Sequence, residues 1–218
     1  MEVIRDKIVA MLRFLWRFKY IVLVLILLVV SAGAWVIYQN QLNAKWSHAI
    51  DSYRRANYDE AAGHLKGLSI PDDPERLQVY AQTMLATQQL DKAAEGYTKL
   101  YNQNKDPFNK LLLGNVYNQQ QKYDEADKVY NEIIKANPNF VQAYVNLSTM
   151  YKLQNDTDKA LEVAKQGVKN NPDNVTLLEL LVSMSLSDKE SSTYKDAVER
   201  LRKVNPKDPL LESLNEVE

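Results

Sequence analysis

The sequence contains no cysteine in 218 residues. That excludes disulfides, thiol nucleophiles, cysteine-ligated zinc and iron–sulfur clusters. Histidine is nearly absent too. His48 and His64 are the two present, and neither stands at a metal-binding or catalytic spacing such as H-E-x-x-H. No glycine-rich phosphate loop, nucleophile elbow or kinase motif occurs, so no enzyme, cofactor, metal or small-molecule substrate is expected. Glycine (6) and proline (7) are scarce, which leaves few helix breakers. Neither sign of charge is in surplus. The 27 basic and 28 acidic residues give a net charge of −1, so a nucleic-acid binder held by a bulk positive field is excluded. What remains is 45% hydrophobic and 25% charged, the composition of a folded chain.

One long apolar run is present. Tyr20 to Tyr38 reads YIVLVLILLVVSAGAWVIY, with 17 of 19 residues apolar or aromatic and no charge. As a helix it would span about 29 Å, the thickness of a bilayer's hydrocarbon core. Tyr20, Trp35 and Tyr38 lie at its ends, where amphipathic rings favour the headgroup level. The rival reading is a cleaved signal peptide ending at Ala32-Gly33-Ala34. The apolar run continues past that cut, which favours a retained anchor. Arg5, Lys7, Arg13, Arg17 and Lys19 precede the run, against Lys45, Arg54 and Arg55 within about 19 residues after it. The bias predicts a cytoplasmic N-terminus and an extracytoplasmic remainder on a cell membrane. The expected division is 1–19 as a basic cytoplasmic segment, 20–38 as the membrane helix and 39–218 as the exported domain. Ile4, Ile8, Met11, Leu12 and Leu15 fall at 3–4 spacing with cations between them. We read residues 3–18 as the helical lead-in to the span. The alternative is an amphipathic helix on an anionic membrane surface or a partner.

The rest of the chain repeats. Leu113 and Leu147, Tyr117 and Tyr151, Ala126 and Ala160, and Pro138 and Pro172 are all 34 apart. Tyr80, Met84, Ala93 and Tyr97 lie 33 before Leu113, Tyr117, Ala126 and Tyr130. Ala160 to Ala197 and Pro172 to Pro209 are both 37 apart, with the excess in the polar SLSDKESSTY segment. The spacing predicts helical hairpins at 43–73, 74–106, 107–140, 141–174 and 175–209, capped by Leu210, Leu211 and Leu214 in the tail 210–218. Leu113-Gly114-x2-Tyr117, then Ala126-x3-Tyr130, then Pro138 resembles the tetratricopeptide (TPR) repeat. Lys110 departs from that pattern at the first aromatic and Ala164 at the second. The resemblance implies an all-α TPR solenoid of about five hairpins, here preceded by a single transmembrane helix.

It also implies a protein-binding groove lined by the first helix of each hairpin. Carried over by position, the groove residues are Gln78, Gln82, Phe108, Leu111, Asn115, Asn118, Gln119, Gln142, Asn146, Thr149 and Lys152. Neutral amides dominate, and each offers a donor and an acceptor to a peptide backbone. Co-chaperone members of the family hold a C-terminal carboxylate with two Asn and three cations. Asn115 and Asn146 match the two Asn, but Leu111, Thr176 and Leu180 stand where cations belong, so Hsp70/Hsp90 tail binding is not expected. The expectation is a membrane-tethered scaffold that binds segments of proteins in export or envelope assembly. The alternatives are an organellar import receptor or co-chaperone with cytosolic repeats, and a fixed subunit of a membrane complex.

Overall fold

Helix periodicity, good capping residues and scarce breakers produce eleven helices and no strand among the described residues. The structure is a computed structural model that describes residues 2–215, apart from the side chains of 2, 3, 15 and 215. The Leu15 side chain of the amphipathic stripe, and residues 216–218 of the expected cap, therefore lie outside it. The chain divides into two compact units, Met1–Leu68 and Ser69–Glu218.

The first unit is built on α1 (Glu2–Arg54), one unbroken helix of 53 residues, about 80 Å long. It carries the apolar run fully exposed, and it is long and apolar enough to cross a membrane. Its last turns pack on α2 (Tyr58–Leu65). Trp46, Ala49, Ala61 and Leu65 are buried there, and the rings of His48 and His64 stack with centroids 5.3 Å apart.

The second unit holds four hairpins in chain order. They are α3 (Pro74–Ala86) with α4 (Leu90–Asn104), α5 (Pro107–Gln119) with α6 (Tyr123–Ala136), α7 (Val141–Leu153) with α8 (Thr157–Asn170), and α9 (Val175–Ser185) with α10 (Ser192–Val204). We call the first helix of each pair A and the second B. Each A helix packs on its own B helix, and α5, α7 and α9 pack also on the B helix before them, which is how repeats too small to own a core share one. Asp73, Asp106, Asp156, Asn174 and Ser191 cap helix N-termini with their side chains. The last helix, α11 (Pro209–Asn215), seats Leu211 in the core, with Leu210 and Leu214 packed beside it.

The turn from A to B is the same in four hairpins. Ala56, Gln88, Gln121 and Asn155 each take a left-handed conformation, φ 57° to 61°. After α5, for instance, the Lys122 N–H donates to the Tyr117 carbonyl (2.9 Å) and the Gln121 N–H to the Asn118 carbonyl (3.0 Å). This pair of bonds is the Schellman closure of a helix C-terminus. After α9 the longer polar loop replaces it, and no left-handed residue occurs there.

Candidate functional site

The expected groove residues sit on α3, α5 and α7, and hydrogen bonds tie together those at the α5–α7 contact. Asn115 projects from the middle of α5 and is half-buried. Its Oδ1 accepts from the Asn146 Nδ2 of α7 (2.6 Å) and from the Tyr130 hydroxyl of α6 (2.8 Å). Gln142, one turn before Asn146, donates from Nε2 to the Asn146 Oδ1 (2.8 Å). Three amides and a buried phenol thus form one chain of hydrogen bonds across two repeats. Burial holds the Tyr130 hydroxyl well above its ordinary pKa range, against the opposing pull of a hydrogen bond with Asn146.

Around this row, Phe108 and Gln119 are exposed on α5, with Asn118 half-buried. Thr149 and Lys152 are exposed on α7. On α3, Gln78 is exposed and Gln82 half-buried. Leu111 is a correction. It is 2% exposed and belongs to the core beneath the face, so no ligand can reach it. Leu180 is buried as well, at 9%. Two positions that would hold cations in a carboxylate clamp are therefore interior leucines.

Sequence reasoning missed Tyr130, which reads as packing because its ring is buried; only its hydroxyl reaches the face. It also missed the bond from the Tyr151 hydroxyl of α7 to Asp127 of α6. Burial and then that carboxylate raise the Tyr151 pKa. Lys110, the residue in place of the family's aromatic, pairs with Glu132 at 2.7 Å and lies 5.0 Å from the Tyr101 ring centroid. It so joins α4, α5 and α6, and its hydrogen bond holds the Glu132 carboxyl below the usual range. The face itself carries no cluster of three or more metal-binding side chains among the described residues. Its chemistry is that of fixed amide donors and acceptors.

Two profiles of the tetratricopeptide repeat match the chain, over residues 110–140 and 129–162. An Hsp70-Hsp90 organising protein of Plasmodium falciparum is 29% identical over 96 residues, 42% of this chain. The match spans 17% of that protein's length. Among solved structures, MamA of Desulfovibrio magneticus RS-1 superposes with a TM-score of 0.55 at 20% identity, covering 79% of this chain and 96% of that one. A MamA double mutant from RS-1 gives a TM-score of 0.56 at 18% identity, covering 76% and 95%. At these identities the likeness is one of fold.

Proposed function

The chain belongs to the tetratricopeptide-repeat family, and from that premise we propose a membrane-tethered scaffold whose α5–α7 face takes an extended segment of another protein. The observation that carries this reading is the amide row Asn115–Asn146–Gln142. Its internal bonds fix the side chains before a ligand arrives, so little rotamer entropy is lost on binding. The Asn115 amide nitrogen has no partner among the described residues, so a donor remains for a peptide carbonyl. Phe108 offers an exposed ring on the same helix for an apolar side chain of the ligand. The unbroken α1 supports the tether, with residues 20–38 in the bilayer, 1–19 in the cytoplasm and 39–218 outside. Partners are then proteins exported across, or assembled at, that membrane. The organising protein from Plasmodium falciparum favours a second reading, a cytosolic co-chaperone, but the buried Leu111 and Leu180 leave charged-tail capture without its cations.

The test is affinity capture in mild detergent, followed by titration with a peptide from the recovered partner. Gln142→Ala with Asn146→Ala is expected to weaken binding by about 1–3 kcal/mol, from two hydrogen bonds of ~0.5–1.5 kcal/mol each. High salt is expected to change affinity little, because the row is uncharged. Unchanged affinity in the folded double variant would move binding off this face.

A further inference from the structure

The first turns of α1 carry more apolar surface than a helix in water keeps, and the arrangement of that surface says what covers it. Ile4, Ile8, Met11, Leu12, Phe14, Trp16 and Phe18 are all exposed, between 42% and 65%. At about 100° per residue, the apolar side chains from Phe14 round to Val9 occupy an arc of roughly 220°. Arg13, Asp6 and Arg17 fill the remaining arc, while Arg5, Lys7 and Lys19 lie among the apolar residues. A seam for a second helix would be a narrow stripe of two residues in seven. An arc this broad, broken by cations, suits lipid, which can contact a helix on all sides.

The charges and rings agree. Residues 2–19 hold five cations (Arg5, Lys7, Arg13, Arg17, Lys19) against two acids (Glu2, Asp6), a surplus of three. The Lys19 ammonium lies 3.4 Å from the Trp16 ring centroid and 5.0 Å from that of Tyr20. The Phe14 and Phe18 rings meet at a tilt of 55°, with centroids 4.5 Å apart. Aromatic rings interleaved with ammonium and guanidinium groups match the headgroup zone, where one part of the side chain is apolar and the other wet. Arg13, Arg17 and Lys19 stand within about 11 Å of the start of the apolar run along the helix axis.

We propose that residues 4–19 form a binding surface for anionic phospholipid. Arg13, Arg17 and Lys19 hold headgroup phosphates, and Trp16 with its neighbours lies at the boundary with the acyl chains. The inference rests on the tether reading, since the span brings the segment to a bilayer.

The whole chain is reconstituted in phosphatidylcholine vesicles containing brominated phosphatidylglycerol, or brominated phosphatidylcholine at equal mole fraction. The Trp16 signal is isolated as the difference between the parent and Trp16→Phe. Stronger quenching by the anionic lipid is expected, with the preference falling about fivefold for each cation removed in Arg13→Gln, Arg17→Gln and Lys19→Gln. Raising the salt is expected to erase it as well. Equal quenching by the two lipids, or a preference untouched by the triple variant and by salt, would overturn the proposal. So would a Met11→Cys variant that cross-links to itself equally in both lipids, which gives the surface to a second copy. Flotation separates the two readings. A chain that floats with pure phosphatidylcholine vesicles but shows no anionic preference loses only this proposal. A chain that floats with no vesicles loses the tether and this proposal together.

Discussion

Single side chains at the α5–α7 contact serve folding and the face together. The Tyr130 hydroxyl donates to the Asn115 carbonyl oxygen, and Tyr130 is 0% exposed. Asn115→Ala is therefore expected to cost about 1–3 kcal/mol by stranding a buried hydroxyl, and Tyr130→Phe in the same chain should return most of it. Thermal melts of both singles and the double measure this; additive losses would break the link. The sequence shows Asn115 as a groove amide through the repeat register, but not its inward bond, because hydroxyl reach depends on helix spacing rather than residue type. The left-handed turn residues were hidden for a related reason. Only Asn155 carries a usual signature; Ala56, Gln88 and Gln121 bear side chains that this conformation penalises. Gln121→Gly is expected to stabilise by up to about 1 kcal/mol, because glycine enters that region without the Cβ clash. A lower melting temperature for Gln121→Gly would argue against the turn.

At the scale of the helix pair, each close crossing contains a small residue, but not on the same helix. In α5 and α6 the trio is Gly114, Val129 and Tyr130; a Cβ on Gly114 would meet the Tyr130 ring at 2.6 Å. In α3 and α4 the matching trio is Ala81, Gly96 and Tyr97, and the glycine has moved to the B helix, where an added Cβ would meet the Ala81 Cβ at 2.8 Å. In α7 and α8 it is Ser148, Val163 and Ala164, where alanine replaces the ring and the serine hydroxyl fits, bonding the Ala160 carbonyl at 2.7 Å. The period of 34 made the hairpins readable and marked Gly114 as part of the repeat pattern. Gly96 was not marked, because the relief is shared by three positions that only packing brings together. Gly114→Ala is expected to destabilise by about 1–2 kcal/mol. The helix gains ~1 kcal/mol of propensity, but Tyr130, held at its hydroxyl, cannot swing away from the overpacking. Gly63→Ala in α2, with nothing within 4 Å, should do the opposite and gain about 0.5–1 kcal/mol. Melting curves that moved both variants the same way would refute the distinction.

For the whole molecule, the proposed tether turns on which side of a membrane the hairpins would occupy. Five cations precede the apolar run and three follow it within about 19 residues, and the two nearest, Arg17 and Lys19, adjoin it on the N-terminal side. A periplasmic-active reporter such as alkaline phosphatase, fused after Glu218, is expected to be active, and a cytoplasm-active reporter at the same place silent. The reverse result would exchange exported partners for cytosolic ones while leaving the fold untouched. Composition and the apolar run made both parts of the chain legible. What they did not reveal is that α1 continues without interruption into the first hairpin, since residues 39–45 carry neither a helix stop nor a strong apolar period.

That continuity gives the hairpin a phase. Trp46 and Ala49, which receive α2, lie on the same rigid cylinder as Tyr38, so the azimuth of the α1–α2 pair is geared to the rotation of α1 about its own axis. Adding one residue between Tyr38 and Trp46 would turn the pair by about 100° and raise it only ~1.5 Å. Adding seven would bring it back to within about 20° of its starting bearing, some 10 Å further along the axis. Any partner that must meet both the bilayer-side segment and the first hairpin would thus tolerate a change in height far better than a change in bearing.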